Sequence, residues 1–110
     1  MVFSDSNGVI SNRFVWPFTL TRFEYEFLMN LNRHWKYMAR DANNDLCVYS
    51  VVPKKHRYGW EVEDCRDRQY IQEHLFPNSF FNFVRLENEE PYEIDWLLKS
   101  CEVEEKWLIR

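Results

Sequence analysis

The chain has 110 residues, 45% of them hydrophobic and 18% aromatic, with a formal net charge of −4. This composition excludes an intrinsically disordered chain and is typical of one small domain with an aromatic-rich core. Only two glycines occur, which excludes Gly-rich phosphate-binding loops. No apolar run is long enough to span a bilayer, and the N-terminus lacks a signal-peptide pattern, so we expect a cytoplasmic protein.

Charge is distributed unevenly along the chain. Residues 1–58 carry eight Lys and Arg against five Asp and Glu, whereas residues 59–110 carry six against thirteen. Such a polarity favours contact of the second half with basic surfaces. Three cysteines, Cys47, Cys65 and Cys101, cannot all pair within the chain, and we expect buried or half-buried reduced thiols.

The first elements in chain order are an arm and a helix. Residues 1–15 are weakly patterned and predict a flexible arm, with a short strand as an option at 9–16. Thr21 and Glu24 form a capping-box pattern. Phe23, Phe27 and Leu31 then recur every four residues, which predicts an amphipathic helix over about 22–32.

A β-hairpin is the clearest pattern that follows. Two apolar and aromatic runs, 35–40 and 46–51, flank a polar cluster at 41–45. We expect Trp35, Tyr37, Leu46 and Val48 to pack on the helix. After a basic connector at 54–57, the alternation of Trp60–Glu63 predicts a third strand, which would complete a meander.

The second half predicts further short elements. Asp64 is a candidate cap for a helix that runs to about Leu75, and residues 80–86 predict a strand. Residues 92–98 favour a helical turn, with a strand as the alternative. The fold predicted is α+β: a small antiparallel β-meander of three or more strands packed against two or three short helices, in a single domain at 1–110 with a docking tail at 103–110.

The patterns of known catalytic and metal sites are missing from the sequence. There is no C-x-x-C, H-E-x-x-H or G-x-S-x-G spacing. Carboxylates are abundant, but nothing in the sequence marks one with the cleft and shifted pKa that acid–base catalysis needs. We therefore expect no enzyme, no metal and no cofactor.

Two surfaces are candidates for binding. An acidic segment favours a basic partner surface, such as a nucleic-acid-binding groove on a protein. Its members are Glu87, Glu89, Glu90, Glu93, Asp95, Glu102, Glu104 and Glu105. Trp96 and Trp107 are its candidate aromatic anchors. The alternative is a nucleic-acid-binding loop that combines cations with stacking rings, namely Lys54, Lys55, Arg57, Tyr58 and Trp60.

A third alternative is a small oligomeric structural protein closed by its apolar tail. Val103, Trp107, Leu108 and Ile109 place four large apolar side chains in that tail. A tail of this kind is expected to dock on the body of the protein or on another chain.

The chain also resembles a family of small uncharacterised proteins of bacteriophages and prophages. The resemblance covers roughly residues 35–98 and is carried by Trp35–Asp41, Leu46, Tyr49, Pro53-Lys54, Trp60, Leu75-Phe76-Pro77 and Glu89-Glu90-Pro91. This chain departs from the family pattern because its hairpin turn has no Gly. The resemblance implies a mobile-element accessory protein, by analogy a stoichiometric inhibitor of a host protein such as a CRISPR effector. It implies no catalytic residues.

Overall fold

The computed structural model describes residues 19–72, 75–76 and 79–104. It has an α+β architecture built on an antiparallel four-stranded sheet. The helices are α1 (Arg22–Asn30) and α2 (Ile94–Ser100). The strands are β1 (Thr19–Leu20), β2 (Tyr37–Arg40), β3 (Leu46–Tyr49), β4 (Lys54–His56), β5 (Gly59–Glu61), β6 (Arg68–Tyr70), β7 (Tyr92–Glu93) and β8 (Glu102–Val103).

The predicted first helix is confirmed, together with its capping box. The Thr21 hydroxyl accepts from the Glu24 backbone N–H, and the Glu24 carboxylate accepts from the Thr21 N–H, both at 3.0 Å. These two bonds satisfy donors that a helix N-terminus otherwise leaves without partners. The helix ends at Asn30, two residues before the predicted end.

The predicted hairpin is confirmed as β2 and β3. Its turn contains a short 3₁₀ segment, Ala42–Asn44, in which Asn43 and Asn44 have φ of 64° and 65°. Asn tolerates this left-handed conformation better than most residues. The two asparagines therefore occupy the positive-φ positions of a hairpin turn that has no Gly.

Strand register assigns the hairpin side chains to two faces. Met38 pairs with Val48 and Arg40 with Leu46, and this face packs on the main core with Leu20, Leu28 and Leu97. The opposite face carries Tyr37, Ala39, Cys47 and Tyr49, which cluster with Trp60. The prediction that Tyr37 packs on the helix beside Leu46 and Val48 was wrong, because alternate residues of a strand point to opposite faces.

The predicted third strand has a different position. The order of the sheet is β6-β3-β2-β7, so the neighbour of β3 is β6 rather than residues 60–63. Residues Gly59–Glu61 instead fold back on Lys54–His56 through a two-residue turn and form a separate hairpin. The prediction of a connector at 54–57 is wrong for Lys54–His56, which form a strand although Lys is rare in strands.

The second predicted helix is also replaced. Asp64 caps only a single 3₁₀ turn, Cys65–Asp67, after which the chain enters β6. Strand β6 pairs with β3, and two further backbone hydrogen bonds extend this pairing. The Ser50 N–H donates to the Asp67 carbonyl at 3.0 Å, and the Ile71 N–H donates to the Leu46 carbonyl at 2.9 Å. Sheet pairing thus prevails over the local helical pattern.

The strand predicted over residues 80–86 is wrong, because residues 79–84 form consecutive turns. Phe81 has φ of 51°, a conformation that bulky residues avoid. The turns are fixed by two buried side chains. Arg40 donates to the carbonyls of Val84 at 2.7 Å and Phe81 at 3.0 Å, and the Glu24 carboxylate accepts from the Phe81 N–H.

The last described elements close the fold beside α1. The helix predicted at 92–98 is found as α2, which begins two residues later because Tyr92 and Glu93 form β7. Helix α2 packs against α1. Strand β8 then pairs in parallel with β1, and the Glu104 N–H donates to the Leu20 carbonyl at 2.8 Å. The arm at 1–15, the strand option at 9–16 and the tail beyond residue 104 lie outside the described residues.

Candidate functional site

The acidic segment is distributed over three parts of the fold. Glu87, Glu89 and Glu90 lie in the turns before β7, Glu93 and Asp95 lie where β7 meets α2, and Glu102 and Glu104 lie on or after β8. Six of these seven carboxylates are exposed, and Glu93 is half-buried. Glu105 lies outside the described residues. The exposed carboxylates therefore lie mainly before α2 and after it, and α2 itself carries one acid, Asp95, and one base, Lys99.

Residues 86–104 contain a single Lys or Arg, Lys99, to offset these negative charges. Its ammonium lies 2.9 Å from the Asp95 carboxylate one helical turn away, and this pair raises the pKa of Lys99. Both side chains are more than two-thirds exposed, so the pair is weak and screened by salt. The segment keeps a net negative charge that a basic partner would neutralise.

Of the two aromatic anchors predicted for this surface, the structure describes Trp96. Trp96 is half-buried and packs against the main core, so only part of its ring is accessible. Trp107 lies outside the described residues. Interface anchors are more effective when a large part of the ring is accessible.

A groove beside the acidic segment was not predicted. It has a volume of about 420 Å³ and lies between the end of α1, the 31–36 turn and the start of α2. Its lining includes Leu28, Met29, Trp35, Ile94 and Leu98. No short-range pattern could have revealed it, because its walls are more than fifty residues apart in the sequence.

The basic hairpin β4–β5 uses one of its two lysines in contacts within the fold. Lys54 lies opposite Glu61 across the hairpin. The Lys55 ammonium lies 4.7 Å from the centre of the Trp60 ring and donates to the Leu86 carbonyl. Trp60 is 2% exposed, so the predicted stacking of its ring on a nucleic-acid base is not possible in this fold.

Only the tip of this hairpin presents the predicted combination of cation and ring. Tyr58 is 69% exposed, and the Arg57 guanidinium lies 5.6 Å from the centre of its ring. Val52, before β4, is 61% exposed. Of the predicted nucleic-acid surface, Trp60 is buried and Lys55 is exposed but bound to the Leu86 carbonyl. The remaining members are Lys54, Arg57 and Tyr58.

Asp41 connects the two hairpins, which the sequence did not reveal. One carboxylate oxygen accepts from the N–H groups of Ala42 and Trp60, both at 2.9 Å. The other lies 3.4 Å from the Arg68 guanidinium, which also donates to the Trp60 carbonyl. Arg40 and Asp41 belong to the segment Trp35–Asp41 that carries part of the resemblance. Both side chains are buried, and their hydrogen bonds stabilise the fold.

Two titratable groups in the same cluster are kept neutral by burial. Burial raises the pKa of the Cys47 thiol to about 12, and it also raises the pKa of the Tyr49 hydroxyl, with the neighbouring Cys47 adding to the effect. A thiol in this state is a poor nucleophile. Cys65, expected to be buried or half-buried, is exposed.

The described part of the chain contains no group of three or more His, Cys, Asp or Glu side chains placed to hold a metal ion. Among the helices in the described ranges, none is long and apolar enough to cross a membrane. No protein-family model, curated protein or solved structure matches the chain.

Proposed function

We propose that the protein is a non-catalytic binding protein whose acidic surface occupies a basic, nucleic-acid-binding groove on a host protein. In this role it is a phage-encoded stoichiometric inhibitor, for which a CRISPR effector or another defence protein is the expected class of target. The observation that carries the proposal is the exposure of six carboxylates along residues 87–104, with Lys99 as the single base. The resemblance to phage accessory proteins supports the host setting.

The physical basis is competition for a site that normally holds phosphates. A groove that binds nucleic acid carries clustered Lys and Arg, and these attract any surface of matching negative charge. Attraction of this kind accelerates association and weakens with added salt. An inhibitor needs no reactive group for this purpose.

The experiment is an affinity pulldown from host lysate, with mass spectrometry, followed by affinity measurement on the partner recovered. The variant Glu87→Lys/Glu89→Lys reverses two exposed charges of the acidic segment. We expect affinity to fall by about tenfold or more, and the salt dependence to become shallower.

The matched control is Glu61→Lys/Glu63→Lys, which reverses two exposed carboxylates on and after β5. It makes the same change in net charge outside the acidic segment. The proposal is wrong if both variants weaken binding equally, or if neither does.

The second candidate is a nucleic-acid-binding module, favoured by the exposed Arg57 and Tyr58 at the hairpin tip. Fluorescence polarisation with single-stranded and duplex probes at low salt tests it. Binding at micromolar protein that is lost in Arg57→Ala/Tyr58→Ala would support this candidate. Absence of binding would remove it. The third alternative, an oligomer closed by the apolar tail, stays a prediction.

A further inference from the structure

We propose that the groove between α1 and α2 binds a short peptide segment of a partner protein, with a large apolar side chain between an acidic and a basic residue. This inference rests on the proposed function, because it names the part of the partner that the protein holds beside its acidic surface. It adds a directional contact to a surface that otherwise attracts by charge alone.

The apolar floor of the groove fits one or two large side chains. Leu28 and Ile94 are buried at its base, with exposed fractions of 3% and 6%. Trp35 and Leu98 are half-buried, and Met29 is 53% exposed at the rim. Met and Trp are enriched in protein interfaces, and Met adapts its shape to different partners.

The charged residues of the groove come in two groups of opposite sign. Arg33 and Lys36 belong to the 31–36 turn, whereas Glu93 and Asp95 belong to the start of α2. The Ile94 N–H donates to the Lys36 carbonyl at 2.9 Å, which fixes the two segments side by side. A segment that fits would therefore carry an acidic group toward Arg33 and Lys36. On the α2 side a basic group would compete with Lys99 for Asp95, in a pair that is exposed and weak.

A peptide fits these features better than a small zwitterion does. The volume of about 420 Å³ lies near the lower end of the range for drug-sized ligands. Its rim residues Met29, Arg33, Lys36 and Asp95 are all exposed, so the groove opens to solvent and a longer chain can contact it without being enclosed. An amphipathic segment that lays its apolar side into a groove is a common mode of peptide recognition.

The experiment is selection from a phage-displayed library of random twelve-residue peptides on the full-length protein. We expect a consensus with an apolar or aromatic residue between acidic and basic positions. Met29→Asp should lower the affinity of the selected peptides by about tenfold or more, because it places a charge on the apolar rim. Circular dichroism checks that each variant is folded.

Val52→Asp is the matched control, since it makes a comparable change at an exposed apolar side chain outside the groove. Arg33→Glu should weaken the same peptides, and a peptide whose acidic residue is replaced by Lys should recover the loss. The inference is overturned if no consensus is enriched, if Met29→Asp binds like the wild type, or if the exchanged peptide gives no recovery.

The result separates this inference from the proposed function. If lysate yields a partner sensitive to Glu87→Lys/Glu89→Lys while the library yields no consensus, the groove fails alone. If groove-dependent peptides are found but both pairs of charge reversals leave partner binding unchanged, the acidic-surface proposal fails alone.

Discussion

At Gly59 the backbone lies so close to the Asp41 carboxylate that a side chain has no room. A Cβ at this position would lie 2.0 Å from the Asp41 Oδ1 atom, and the φ of +155° is unfavourable for other residues. The oxygen it would displace is the acceptor for the Trp60 N–H. Any side chain at position 59 would therefore disturb the hydrogen bonds that Asp41 accepts.

We predict that Gly59→Ala lowers the free energy of unfolding by about 2 kcal/mol or more, because it combines backbone strain with loss of a buried hydrogen bond. Urea denaturation measures the change. Tyr58→Ala, at the adjacent exposed turn position, is the control and should change stability by less than about 0.5 kcal/mol. Equal effects of the two substitutions would contradict the close approach.

The three thiols should differ in reactivity in the folded protein. Cys65 is exposed, Cys101 is half-buried with its pKa raised by burial, and Cys47 is fully buried with a pKa of about 12. With a thiol-specific chromogenic reagent at neutral pH, we expect Cys65 to react first, Cys101 more slowly, and Cys47 only after unfolding. Cys65→Ser should remove the fast phase, and its persistence would contradict this assignment.

At the scale of elements, the start of α1 depends on its capping box. Thr21→Ala removes the acceptor of the Glu24 N–H and should lower the free energy of unfolding by about 1 kcal/mol. Thr19→Ala, at an exposed position of β1, is the control for the loss of a threonine hydroxyl. Chemical denaturation of both variants measures the difference. A loss as large in Thr19→Ala would mean that capping is not the cause.

The elements that the sequence predicted correctly are those specified by nearby residues. Thr21 and Glu24 define the start of α1, and the polar cluster at 41–45 locates the first hairpin. The segments that were mispredicted depend on distant partners. Residues 79–84 form turns because Arg40 and Glu24, about forty and fifty-seven residues earlier, bind their backbone groups. Local propensity contains no information about such contacts.

The candidate sites show the same division. The carboxylates of the acidic segment at 87–104 could be assigned to the surface from the sequence, and the structure exposes six of the seven. The burial of Trp60 could not be predicted, because it accompanies contacts that local propensity does not specify: its N–H donates to Asp41, and its carbonyl accepts from Arg68. The groove could not be predicted because its walls, which include Arg33 and Asp95, are brought together only by the tertiary fold.

At the scale of the whole molecule, the stability should depend on pH through Glu24. Burial raises the pKa of this carboxyl above 4.5, against the opposing hydrogen bonds from Thr21 and Phe81, and nearby Glu104 adds to the increase. The folded state therefore binds this proton more tightly than the unfolded state does. The corresponding stabilisation is present at low pH and is lost as the pH rises above 4.5 through the raised value.

We predict that Glu24→Gln removes this dependence, so the variant gains stability relative to the wild type between about pH 4 and about pH 7. Urea denaturation across that range provides the measurement. Glu26→Gln gives the reference for loss of a partly exposed carboxylate from the same helix. The prediction is wrong if both variants follow the pH dependence of the wild type.

The parallel pairing of β1 with β8 has a mechanical consequence. The described fold begins at β1 and ends just after β8, and opposite pulls on Thr19 and Glu104 would slide these two parallel strands past each other. A force-generating unfoldase engaged at either end would meet this contact before it reached the sheet. Resistance to forced unfolding is a matter of rate rather than of equilibrium stability. The lifetime of the protein under such traction would therefore depend first on two short strands outside the main sheet.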